Sequence, residues 1–168
     1  MIRLYNLQFP LLFLAIIFVL MAAYYMLPTA IIEGVVVRFF AVVPSGIILD
    51  WLTPDHDVAT EHTRIISSIA RINVLKGCEG TEVLLILYAA MIAVLRPLRL
   101  TVMGILMGTA LVFVLNQLRI IALFFIAAYQ RELFELVHGF LAPIIIVAIT
   151  GVFFLLWLKW TQPESIDE

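Results

Sequence analysis

The sequence predicts an all-α fold: a multi-pass transmembrane helix bundle of about four spans plus one interfacial or re-entrant helix, with a small loop outside the membrane. Three observations carry this. Of 168 residues, 64% are hydrophobic and only 13% are charged, against about 25% charged in a soluble domain. The mean hydropathy is +1.14. The apolar residues also fall into long runs parted by short polar turns, and about 20 such residues cross a bilayer. The net charge of −2 carries no message about nucleic acid and no basic cluster suggests a polyanion partner, so the partner that the composition implies is the lipid bilayer, with no nucleic acid. A single cysteine excludes an internal disulfide and a cysteine cage for a metal. No metal or other cofactor is expected.

In chain order, Met1-Ile2-Arg3 leads into a long apolar run with no small-residue cleavage site near Leu27 or Pro28. It therefore reads as a retained anchor and not as a cleaved signal peptide. Phe9 to Leu27 is uncharged and long enough to span, and Pro28 ends it. Ala30 to Leu49 is apolar but interrupted by Glu33, Arg38, Pro44 and Gly46. A charge at the centre of a span costs roughly 2.5–3.5 kcal/mol, so an interfacial or re-entrant helix suits this piece better than a crossing one.

Asp50 to Gly77 is the sizeable polar segment, with Asp50, Asp55, Asp57, Glu61, Arg64, Arg71 and Lys76 beside His56 and His62. Within it Arg71-Ile72-Asn73-Val74 alternates with period two and predicts a short strand on the membrane face. Val83 to Leu95 is apolar and is followed by a basic turn, Arg96-Pro97-Leu98-Arg99. Leu100 to Tyr129 would be about 45 Å long as a helix, against a hydrocarbon core of about 30 Å. It must leave the membrane before its end, or bend, and its apolar character breaks at Asn116-Gln117-Leu118-Arg119. Gly139 to Leu158 is the last uncharged run, closed by Lys159 and Trp160, with Pro143 in its first turn, where proline costs nothing. Thr161 to Glu168 is a short polar tail. No repeat or linker divides the chain, so residues 1–168 read as one membrane domain.

Three polar residues fall at one depth when counted from the basic turn. Cys78 lies 18 residues before Arg96 and Arg119 lies 20 residues after Arg99, roughly 27 and 30 Å along helices. His138 lies 21 residues before Lys159, roughly 31 Å. If Lys159 shares a face with the basic turn, all three reach the opposite face together. Taken singly, each has an ordinary explanation: Cys78 as a small buried hydrophobe, Arg119 as a snorkelling anchor, His138 as a partner for free backbone groups. Asn116, three residues before Arg119 on the same helix face, would ordinarily bond a neighbouring helix.

Together they suit acyl transfer. A thiolate is the nucleophile, and its pKa falls beside a cation or at a helix N-terminus; Arg119 and the helix after Gly80 would supply both. His138 would take the thiol proton and return it to the leaving amine, its imidazole kept neutral by a helix start beside it. Arg119 would stabilise the oxyanion. Gly77 and Gly80 would let a substrate backbone approach closely.

Gly77-Cys78-Glu79-Gly80, then Asn116-x-x-Arg119, then His138 at the start of a last span, resembles the exosortase/archaeosortase family over about Val74 to Trp160. The resemblance implies a membrane-embedded cysteine transpeptidase or protease, with its site and small loop on the extracytoplasmic face of the cell (inner or plasma) membrane. Its partners would be exported proteins ending in a sorting tail: a short motif, a transmembrane helix, a basic cluster. Cleavage would pass through a thioester on Cys78, with His138 as acid/base and Arg119 at the oxyanion. Asn116 matches the family's asparagine, and Glu79 and Gly80 match its flank of the cysteine. The chain looks like a short form, since longer members carry further spans. Arg3, the Arg96–Arg99 turn and Lys159 would then lie inside, as positive charge prefers.

Rival readings keep the same residues. A non-enzymatic membrane transport or binding subunit would line a polar intramembrane path with Arg119 and Asn116. A metalloprotein would use His56, His62 and His138 with Asp55 or Asp57, although the spacing matches no common ligand pattern. A plain membrane protease would resolve the acyl-enzyme with water, and the first half-reaction is common to both.

Overall fold

A computed structural model describes the backbone of residues 2–162 and the side chains of residues 7–162. The readings placed on Met1, on the Arg3 side chain and on residues 163–168 of the tail lie outside the described residues. The architecture is an all-α bundle, and four of its helices are long and apolar enough to cross a membrane. We number the helices α1 (Ile2–Met26), α2 (Thr29–Leu52), α3 (Thr81–Ala93), α4 (Leu98–Tyr129) and α5 (Arg131–Trp160). The outer faces remain apolar: Leu11, Leu14 and Phe18 on α1, Leu106 and Leu118 on α4, and Ile144, Leu155 and Leu156 on α5 are all exposed. A surface of this kind belongs in lipid.

The four long helices are not the four runs the sequence suggested. α2 has the length and composition of a span. α3 has only 13 residues, about 20 Å against a core of about 30 Å. The contacts of α2 nevertheless gather at the end of the bundle that carries Cys78. Pro28 joins it to the end of α1, Ser45 and the Phe40 carbonyl bond Gln117, and Gly46 abuts Thr60.

One core fills that end. Ile32, Val37, Val42 and Leu49 of α2 pack with Ile65 and Ile72 of the loop and with Ile120 and Phe124 of α4. α4 is one unbroken α-helix of 32 residues, about 48 Å. It is not interrupted, and its last turns run on into this core. A second, smaller core of Leu87, Met91 and Trp157 closes the other end. There Gly104 lies against the Trp157 ring, so any side chain at this position would overlap the indole.

The polar loop holds more strand than expected. Besides β3 (Arg71–Asn73), where period-two alternation placed it, β1 (Ala59–Glu61) and β2 (Arg64–Ile66) complete an antiparallel sheet in the order β1-β2-β3. His56 bonds Ser68 through Nδ1 at 3.2 Å and belongs to this loop's own framework.

Two prolines shape two helices. Pro143 is in the first turn of the α segment Ala142–Trp160, as expected, but that segment continues from a π segment, Val137–Leu141, so that α5 as a whole begins near Arg131. In α2 the π segment Ile32–Val42 likewise precedes Pro44. Proline lacks an N–H and its ring collides with the carbonyl four residues back. A turn widened to i→i+5 bonding relieves that collision within an unbroken helix. Its cost is a carbonyl left without an intrahelical donor.

Candidate active site

Cys78 sits two residues ahead of α3's N-cap, in a loop fixed by its neighbours. Gly77 and Gly80 have φ of +93° and +82°, a region other residues enter only with strain. Gly80 turns its missing side chain toward Asn116 and Val112. The closeness it permits is therefore to α4 and not to a substrate, whereas Gly77 faces open space. Glu79 is buried; it accepts the Gly77 N–H at 2.6 Å and the Tyr24 hydroxyl of α1. Tyr25 bonds Glu82 one turn on, and the Lys76 ammonium lies 4.5 Å from the Tyr25 ring centroid and 5.1 Å from that of Tyr24. The end of α1 thus clamps both flanks of the cysteine.

α4 and α5 bring the other two groups. Cys78 Sγ lies 3.8 Å from His138 Nε2, and Arg119 Nη2 donates to the His138 carbonyl at 3.4 Å. That carbonyl is the one freed by the π turn, because its i+5 partner is Pro143. Phe134 stacks on the His138 ring at 5.5 Å between centroids and holds its plane. The three residues share a cleft of about 30 Å³ with Phe134, Leu123 and β3, room for about one or two waters. His138 Nδ1 and Arg119 Nε are buried and make no hydrogen bond among the described residues.

The three residues do come together, but two of the supports offered for their meeting differ. Cys78 lies in a loop and not on a helix extended back from Arg96. His138 lies within α5 and not ahead of its start, so a helix N-terminus does not account for a neutral imidazole. Nor is the thiol acidified. Burial pushes the Cys78 thiol above its ordinary range; Arg119 pulls it back, Glu79 adds to the rise, and the Leu75 backbone and the Arg119 hydrogen bond lower it in part. The balance of these effects favours the neutral thiol over the thiolate.

Asn116 is 1% exposed and lies beneath Gly80, yet neither of its amide atoms has a partner among the described residues. It makes no interhelical bond. Its neighbour Gln117, passed over in the sequence, does: Nε2 donates to the Phe40 carbonyl at 2.7 Å and Oε1 accepts from Ser45 at 2.5 Å. The backbone is in π register there, Val43 N–H bonding the Arg38 carbonyl, so the carbonyl that Pro44 leaves without a donor is Phe39's, one before the carbonyl that Gln117 bonds. Arg119 thus serves a carbonyl set free by a proline in another helix, and Gln117 ties α4 to α2 one residue past the corresponding carbonyl. The signal was available as a buried-helix glutamine facing a proline-bearing apolar segment, but the sequence does not say which segment packs there.

Comparison of the chain with protein-family models, with curated proteins and with solved structures returns no match.

Proposed function

We propose that the chain is a membrane-embedded cysteine peptidase or transpeptidase of exosortase type, acting on the C-terminal sorting tails of exported proteins at the extracytoplasmic face. The observation that carries this reading is the 3.8 Å approach of Cys78 Sγ to His138 Nε2 with Arg119 beside both. Nucleophile, base and cation in mutual reach are the parts acyl transfer needs.

In the proposed sequence Cys78 Sγ attacks the scissile carbonyl carbon while its proton passes to His138 Nε2. The carbonyl oxygen becomes an oxyanion, and the Arg119 guanidinium is the donor at hand. As the intermediate collapses the C–N bond breaks, and His138 returns the proton to the departing amine. The thioester on Cys78 is then attacked by an acceptor amine, giving transfer, or by water, giving hydrolysis. Either route restores the thiol. A neutral resting thiol makes proton transfer part of the attack and not a prior equilibrium, which places the greater demand on His138.

The rival reading, a non-enzymatic membrane subunit, draws on one observation: Arg119 already has a structural use, as donor to the His138 carbonyl. Co-expression of the chain with an exported protein bearing a motif, an apolar helix and a basic end separates the two. Cys78→Ala, Arg119→Ala and His138→Ala should each abolish tail cleavage while the protein stays inserted. Cleavage that survives Cys78→Ala removes the peptidase reading.

A further inference from the structure

Beside the cleft lies a larger groove, about 800 Å³, bounded on one side by five consecutive residues, Ile69 to Asn73, and on the other by Ala127, Arg131, Phe134 and Glu135. No residue of β1 or β2 lines it. A cavity over a face of the sheet would touch neighbouring strands; one touching a single strand along its length follows an edge. β3 is the terminal strand in the order β1-β2-β3, and its outer side has no strand partner among the described residues.

The ladder register says which main-chain groups face that side. In an antiparallel pair, residues alternate between bonding the partner strand and pointing away from it. The facing pairs are Arg64–Asn73, Ile65–Ile72 and Ile66–Arg71. Val74 N–H bonds the Thr63 carbonyl at 2.8 Å, and Ser67 N–H bonds the Ala70 carbonyl at 2.9 Å. Bonded pairs recur every second residue, so Ile65–Ile72 is the bonded pair between these two. Arg71 and Asn73 therefore present their N–H and C=O groups to the groove.

We infer that the groove holds an extended stretch of the substrate polypeptide, added to β3 as a fourth strand through the main chain of Arg71 and Asn73. This rests on the peptidase reading only for what happens at its end. The groove and the cleft share Ile72, Asn73 and Phe134, so a chain lying along β3 is led to Cys78 Sγ. The three residues of β3 measure about 10 Å, room for about three residues of substrate. A lipid tail fits poorly, because Arg71, Asn73, Arg131 and Glu135 make the lining polar. Main-chain pairing gives affinity without fixing sequence, which suits an enzyme with several clients.

The test uses the full chain in nanodiscs with Cys78→Ala, so that turnover plays no part, and with benzoylphenylalanine in place of Glu135. The probes are a pool of biotinylated random ten-residue peptides and the same pool with its main chain N-methylated. The plain pool should crosslink and the methylated pool should not. Arg71→Pro removes one outward N–H and spares the β2 ladder, since proline is tolerated on an edge strand. It should lower the yield about three- to tenfold. Ala127→Trp fills the groove from the helix side and should do the same without touching β3. Equal labelling by both pools, crosslinks only to phospholipid, or yields within twofold in both variants would overturn the inference. None of these outcomes bears on cleavage, which the co-expression experiment decides separately.

Discussion

At the scale of single residues, the site works against its own nucleophile. Burial holds Cys78 as a thiol, and the two charged neighbours push in opposite directions. The rate of iodoacetamide alkylation against pH should therefore rise with a midpoint above that of a free cysteine, about 8.5. Arg119 favours the thiolate, so Arg119→Ala should move the midpoint up. Glu79 disfavours it, so Glu79→Gln should move it down. A midpoint below 8 in the unaltered protein would contradict the assignment. A second contrast separates two polar residues of one helical turn. Gln117→Ala removes the bonds to the Phe40 carbonyl and to Ser45, which should cost about 1–3 kcal/mol of stability and leave cleavage per folded molecule near normal. Arg119→Ala should lower cleavage by about 10²–10³ with a smaller shift in thermal midpoint. Cys78, Arg119 and His138 were legible because each is chemically out of place in an apolar chain. The partners of Gln117 and the clamp of Tyr24 on Glu79 were not, since both join residues more than 50 positions apart.

At the scale of elements, the long helices were legible from charge-free length, and β3 from its alternation. β1 and β2 were hidden because three-residue strands carry too few alternations to register against their polar surroundings. The start of α5 was misplaced for a different reason. Arg131, Glu132 and Glu135 break the apolar run, yet Leu133, Phe134 and Val137 keep helical spacing among them. The π turn before Pro143 is the functional consequence. One extra residue in a turn rotates everything upstream by about 100° relative to a plain α-helix, and His138 is in that turn. Pro143→Ala restores a backbone donor and lets the segment relax to α geometry. It should raise or preserve the thermal midpoint while lowering cleavage at least about tenfold, as the imidazole swings from Cys78. Full activity in this variant would show that the proline does not set the imidazole's position.

At the scale of the whole molecule, the meeting of the three residues at one end of the bundle could be anticipated because α4 runs unbroken from Arg99 to Arg119. Their mutual distances could not be counted, since Cys78 reaches its place through a loop. The proposed orientation has a direct test in the single cysteine. In intact cells a membrane-impermeant maleimide should label Cys78 at raised pH, while Leu95→Cys in a Cys78→Ala background should react only after the cells are opened. The reverse pattern would invert the topology. α3 is the short member of the bundle, some 10 Å less than the hydrocarbon it stands in. With that shortfall at its Cys78 end, the sulfur would lie below the rim formed by the sheet and α2. A client whose last folded domain abuts the cut would stall at that rim; one with a few slack residues ahead of its tail would reach the bottom. Slack, as much as motif, would then decide which exported proteins are trimmed.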